Sequence, residues 1–140
     1  MRKQIGIGII GTGFARRVQV PAFLACEGAF IASVASGKIE NARAAADESG
    51  ASHFSADWRE TVTHPDVDLV CITTPPNLHK EMVIAAAAAG KHILCEKPMA
   101  MDIGEARDMV RAGAGHGRLM LLDHELRFHP GRQRAYELIR

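Results

Sequence analysis

Five apolar runs recur along the chain at short, regular spacing: residues 4–10 (QIGIGII), 30–35 (FIASVA), 68–73 (DLVCIT), 92–95 (HILC) and 119–123 (LMLLD). Stretches of helical character separate them. Residues 18–26 carry a short helix-like pattern interrupted by Pro21, and 40–49 and 79–89 are alanine-rich. Residues 57–62 have Asp57 as N-cap, and Asp102 caps a helix running to about residue 114. Gly50 and Gly90 stand just past the two alanine-rich segments, where a left-handed C-cap is wanted. Gly113, Gly115 and Gly117 are expected to break the last helix. The runs are unbroken rather than alternating, as burial on both faces demands. The alternation predicts an α/β fold: a doubly wound parallel sheet with helices on both faces and right-handed connections.

At 140 residues the chain is long enough for one domain with its own core. Its net charge of +1 leaves no electrostatic footprint for nucleic acid. No apolar run approaches the roughly 18 residues of a membrane span. The start, MRKQIGIGIIG, places basic residues before an apolar stretch, but that stretch is short, glycine-rich and β-branched, with no small-residue cleavage site after it. It reads as a strand rather than a signal peptide. Cys26, Cys71 and Cys95 are odd in number and two lie in apolar runs, which fits reduced, buried thiols in a cytoplasmic protein.

The first strand runs directly into a turn, IGIIGTGFARR at 7–17. In a dinucleotide-binding turn the first glycine permits the bend. The second lets the backbone approach the pyrophosphate, which rests on the N-terminus of the next helix. Gly11 and Gly13 take these places, with Thr12, Phe14 and Ala15 completing the cofactor-binding segment. The third position of G-x-G-x-x-G falls on Arg16, which is not small. Either Ala15 supplies the close helix–strand contact or the helix packs slightly further out. An ordinary tight turn is the competing reading, and the position at the head of a βαβ series favours the nucleotide loop.

The second strand ends in VASGK at 34–38. Binders of NAD place a carboxylate there for the ribose 2′-hydroxyl, and none occurs before Glu40. Ser36 and Lys38 suit a 2′-phosphate instead, so NADP is the expected cofactor, with NAD as the alternative.

The third strong strand is followed by TTPPNLH at 73–79, at the carboxyl edge where ligands of open α/β sheets collect. Thr74 and Pro75 are expected to border the cofactor. Asn77 is expected to cap the next helix and face the cofactor, and His79 either touches the nicotinamide ribose or is merely solvated. The next strand ends in KHILCEKP at 91–98. Burial accounts for the apolar part but not for Glu96 and Lys97 side by side at its tip. Beyond the last strand, LLDHELRFHP at 121–130 suggests H-E-x-x-H, but the spacing is one residue too long for two histidines to share a helical face, so no metal site is expected. Residues 132–140 (RQRAYELIR) begin a helical pattern with Tyr136 and Ile139 on one side and no cap. That points to a longer protein or to a helix that docks on something else.

GTGFARR, VDLVCITTPPNLH and GKHILCEKPMA, in this order and spacing along nearly the whole chain, resemble the Gfo/Idh/MocA family of NAD(P)-dependent oxidoreductases. The resemblance implies a Rossmann-type domain at 1–125 and, at 126–140, the start of a connection to a C-terminal substrate and oligomerisation domain that is absent from this chain. It implies hydride transfer between NAD(P) and a sugar-, inositol- or polyol-like substrate, in a homo-oligomer; the charge and the apolar runs add the expectation of no nucleic-acid and no membrane partner. By the same resemblance Glu96 contacts the nicotinamide ribose region and Lys97 reaches both the cofactor and the reacting hydroxyl as the catalytic residue, while Arg127 and His129 border the substrate. An ammonium at the reacting oxygen is chemically suited to that task. The rival reading is a non-catalytic nucleotide-binding or regulatory module of the same fold.

Overall fold

In the computed structural model, which describes residues 4–114 and 117–140, strands and helices alternate as expected. They are β1 (Ile5–Ile10), α1 (Gln19–Leu24), β2 (Ala29–Ala35), α2 (Ile39–Ser49), β3 (His53–Ser55), α3 (Trp58–Thr63), β4 (Leu69–Ile72), α4 (His79–Ala88), β5 (His92–Glu96), α5 (Ile103–Ala114), β6 (Met120–Asp123) and α6 (Pro130–Leu138). Short 3-10 turns occupy Pro76–Leu78 and Glu125–Phe128. The six strands form one sheet in the order β3-β2-β1-β4-β5-β6, with every pair parallel. This is the Rossmann order.

Strand β3 is the element the sequence pattern does not announce. It has three residues, His-Phe-Ser, and lies at the sheet edge against β2. The glycine break expected at 113 is also absent: α5 continues through Gly113, where a Cβ would stand 2.9 Å from Met120 Sδ. The glycine there brings α5 close to β6. Gly115 lies outside the described residues.

Local chemistry explains the other boundaries. Pro21 sits in the first turn of α1, where its missing N–H costs nothing. Asp57 accepts a hydrogen bond from the Arg59 amide at 3.0 Å. Asp102 accepts one from the Glu105 amide at 2.8 Å while Glu105 accepts from the Met101 amide at 3.0 Å, a reciprocal cap. Gly50 closes α2 at φ +73°.

The core has two halves, one on each face of the sheet. Val62 of α3, Met82 and Val83 of α4 and Met109 of α5 cover one face with Ile10, Val70, Ile72 and Ile93. Ala15, Val20 of α1, and Ala45 and Ala46 of α2 cover the other with Ile7, Ile9, Ile31 and Val34. Each fully buried aliphatic side chain of this kind is worth about 1.5–3 kcal/mol. Strand β1 carries glycine at 6 and 8 because the α3–β4 connection lies against it. A Cβ on Gly6 would meet Asp66 O at 1.7 Å, and one on Gly8 would meet Thr61 Cγ2 at 2.7 Å. At the far edge, α6 buries none of its residues, and Leu121 and Leu122 of β6 are exposed.

Candidate active site

Strand β1 is flanked by β2 on one side and β4 on the other, so the loops leaving β1 and β4 meet at the point where the strand order reverses. Gly11 adopts φ +94°, and a Cβ there would stand 2.8 Å from Thr73 O. The Thr73 hydroxyl locks the two loops by reaching Ile10 O at 3.1 Å and Gly11 O at 2.8 Å, and Gly11 N donates to Ala35 O at 2.9 Å. Gly13 differs: a Cβ added there meets nothing within 4 Å. None of the described residues requires that position to be bare, and the space before it is open to a ligand. Among the described residues, no acceptor takes the amides of Thr12, Gly13 or Phe14.

The expected helix does not follow at once. Residues 13–18 wind as successive turns, with Arg16 N to Thr12 O at 3.4 Å and Val18 N to Phe14 O at 3.2 Å, and α1 begins only at Gln19. Anion attraction at this turn therefore comes from its unbonded amides rather than from a regular helix terminus. Ala15 is fully buried against β1 and β2, the close contact required of a small residue, while Arg16 turns outward to pair with Glu48 of α2.

A cavity of about 500 Å³ opens here. The structure brings Gly11, Thr12, Gly13, Ser36, Thr74 and Pro75 around it, and the hydroxyls of Thr12 and Ser36 are 3.3 Å apart. Sequence reasoning missed Asn41 of α2 and Trp58 of α3, which also line it. Asn41 had a signal, a polar residue one turn after Lys38. Trp58, the only tryptophan in the sequence, had none without β3, the strand whose carboxyl end delivers it. Phe14 lies on the turn but not on the wall. Lys38 is the exposed N-cap residue of α2, next in the chain to Gly37 of the cavity wall but not itself on that wall, and no carboxylate pairs with its ammonium among the described residues.

Two residues of the proline loop are placed otherwise than expected. Asn77 faces a separate groove between α3 and α4. His79 is 0% exposed, and its ring nitrogens lie 2.9 Å from Thr74 O and 2.9 Å from Pro98 O. It is not solvated, and both ring nitrogens lie against main-chain carbonyls. It ties the loop after β4 to the loop after β5.

At the tips of β5 and β6, Glu96 stands beside Asp123. Gln19 Nε2 donates to Glu96 Oε1 at 3.0 Å and to Asp123 Oδ2 at 2.9 Å. The other Glu96 oxygen accepts from the Lys97 amide at 3.0 Å and lies 3.9 Å from Lys97 Nζ, which is also 3.6 Å from Glu125 Oε1. Burial pushes the Glu96 carboxyl above the ordinary carboxylate range. The Lys97 amide opposes that rise, and the charge of Asp123 adds to it. Gln19 is 5% exposed, and its carbonyl oxygen has no partner among the described residues. The Lys97–Pro98 peptide is cis. Burial also pushes the Cys95 thiol up to about 12 and the Cys71 thiol higher, so both stay protonated and unreactive, while Cys26 is exposed.

Arg127, in the turn after β6, lines a second cavity of about 520 Å³. His129 does not: it caps α6, its Nδ1 accepting from Gly131 N at 3.2 Å. Among the described residues no three His, Cys, Asp or Glu side chains stand together as metal ligands. No helix among them is long and apolar enough to cross a membrane.

A parallel sheet of this order, with a glycine turn and a cavity at its switch point, defines a dinucleotide-binding Rossmann domain. Residues 5–124 match the model of GFO_IDH_MocA, an oxidoreductase family with an NAD-binding Rossmann fold, and the chain belongs to that family. It is 38% identical to the 1,5-anhydro-D-fructose reductase of Ensifer adhaerens over 120 residues, covering 86% of this chain and 36% of that protein. In structure it is similar to KijD10, a 3-ketoreductase from Actinomadura kijaniata solved with NADP. The TM-score is 0.91 and the identity 26%, covering 98% of this chain and 44% of that one. It is similar also to scyllo-inositol dehydrogenase from Lactobacillus casei, with TM-score 0.90 and identity 28%, covering 99% of this chain and 42% of that one. The chain therefore spans less than half the length of these relatives. The bare turn amides and the open space at Gly13 fit a dinucleotide pyrophosphate, in keeping with an NAD(P)-binding domain.

Proposed function

We propose that the chain is the cofactor-binding domain of an oxidoreductase that moves a hydride between NADP(H) and a carbinol or carbonyl carbon of a sugar-, inositol- or polyol-like substrate. One observation carries this reading: the Lys97 ammonium stands between Glu96 and Glu125 at the tip of β5, beside the strand whose loop walls the cofactor cavity. Hydride chemistry would be supplied by a nicotinamide held in the cavity. Lys97 supplies what the oxygen of the same carbon needs, a positive charge beside it and a proton donor or acceptor. Glu96 holds the start of the lysine segment through the Lys97 amide. The sugar and inositol chemistry named for the relatives supports the substrate class. Exposed Leu121 and Leu122 on the edge strand support assembly into a homo-oligomer.

The preference for NADP rests on the end of β2, where Ser36, Asn41 and Lys38, whose ammonium has no carboxylate partner among the described residues, stand in place of a carboxylate. Fluorescence titration of the chain with NADPH and NADH tests it. NADPH is expected to bind more tightly, and Lys38→Ala is expected to weaken NADPH without weakening NADH. Tighter NADH binding by the unaltered chain would overturn the preference.

A further inference from the structure

The cavity of about 520 Å³ beyond β6 is lined by His124, Leu126, Arg127, Arg132, Gln133 and Tyr136. Its charge is one-sided. Among the described residues neither Arg127 nor Arg132 has a carboxylate within ion-pair distance, although neighbouring cations are matched: Arg134 by Glu137 at 3.1 Å and Lys97 by Glu125 at 3.6 Å. The two guanidiniums come from different elements, Arg127 from the turn after β6 and Arg132 from the first turn of α6. Gln133 Nε2 reaches Arg127 O at 3.5 Å, joining these elements at the cavity wall. Two like charges lining one concavity repel, and an anion between them removes the repulsion. A guanidinium presents its N–H groups in a planar fork matched to carboxylate and phosphate oxygens.

The cavity and the lysine are linked through the turn after β6, which carries both Glu125 and Arg127. His124, on its wall, is flanked in the chain by Asp123, which accepts from Gln19, and by Glu125, 3.6 Å from Lys97 Nζ. We propose that this cavity is an anion subsite for the substrate, in which Arg127 and Arg132 grip a carboxylate or phosphate while the carbinol carbon lies toward Lys97. The substrate class is thereby narrowed to acidic or phosphorylated polyhydroxy compounds. The catalytic placement rests on the function proposed above. The anion binding rests on the cavity alone.

The test is NMR of the arginine Nε–Hε signals of the 140-residue chain, titrated with glucuronate, glucose 6-phosphate and, as neutral control, glucose. At least one anionic sugar is expected to shift the Arg127 and Arg132 signals saturably, and glucose at equal concentration is not. A response to glucuronate alone assigns a carboxylate, and a response to glucose 6-phosphate alone assigns a phosphate. Arg127→Gln and Arg132→Gln are each expected to weaken that binding by about tenfold, the worth of one charge-assisted contact, with NADPH affinity unchanged. Both side chains are exposed, so folding is not at stake. The absence of saturable shifts with either anion, an equal response to glucose, or unchanged affinity in both variants would overturn the proposal. If the anions bind as described and NADPH does not bind at all, the cofactor reading fails and the subsite stands.

Discussion

Lys97 Nζ lies 3.6 Å from Glu125 Oε1, a carboxylate delivered by the turn that follows the neighbouring strand. The contact joins the tip of β5 to the turn after β6 and points the ammonium along the carboxyl edge of the sheet, where ligands of such folds bind. Replacing Lys97 by Ala in the protein that carries this domain is expected to lower kcat by about 10²–10⁴-fold, the range for a lost acid–base group. NADPH affinity measured by fluorescence should be nearly unchanged. Near-normal turnover would remove Lys97 from the chemistry.

The two glycines of the turn separate folding from binding. Gly11→Ala places a Cβ 2.8 Å from Thr73 O at φ +94°. Thermal and denaturant unfolding should show a loss of about 1–3 kcal/mol. Gly13→Ala meets no atom of the chain within 4 Å. Its stability should stay within about 0.5 kcal/mol of the parent, while NADPH affinity falls, because the methyl occupies the space the pyrophosphate requires. A Gly13→Ala protein that binds NADPH normally would place the pyrophosphate elsewhere.

Glu96 gives a pH dependence of definite sign. Burial raises its folded carboxyl above the ordinary value, so folding favours the protonated form. Its contribution to stability is complete at acid pH and is lost as pH rises from about 4.3, the unperturbed value, through the folded one. Glu96→Gln has no such proton to lose. Denaturant melts across this range should show the variant gaining on the parent as pH rises. A difference that stays flat, or moves the other way, would contradict the burial argument.

His79 is a brace between Thr74 O and Pro98 O. His79→Leu removes the ring that spans the two carbonyls, of which a neutral imidazole donates to one, and should cost about 1–3 kcal/mol, the worth of one lost buried hydrogen bond. Amide exchange should accelerate at the segments around Thr74 and Pro98, with a smaller effect in His79→Gln, which retains a donor. Exchange that rises only in α4 would assign the residue to its own helix.

How much of this was legible in the sequence depends on whether the signal was local. Strands β1, β2, β4 and β5 stand out as apolar runs because the sheet buries them, whereas β6 stands out by its leucines although none of its residues is buried. Gly11 stands out because the turn directly after β1 needs its positive φ, and Gly13 by its place two residues on. Strand β3 was invisible: three residues, two of them polar, have no period to detect. Its loss hid Trp58 and with it one wall of the cofactor cavity. Gln19 was read only as part of a helical pattern, because its partners Glu96 and Asp123 are 77 and 104 residues away. The sequence places His79 in its loop but does not disclose its contacts with Thr74 O and Pro98 O. Motif position locates a residue along the chain, but the choice between ribose and main-chain carbonyl depends on how α4 packs beneath β5.

The most direct test of the account is a crystal structure of the chain with NADPH. The pyrophosphate is expected on the amides of residues 12–14, the adenosine end between Ser36 and Trp58, and the nicotinamide within reach of Lys97 Nζ. A pyrophosphate bound away from that turn, or a nicotinamide that leaves Lys97 alone in solvent, would contradict it.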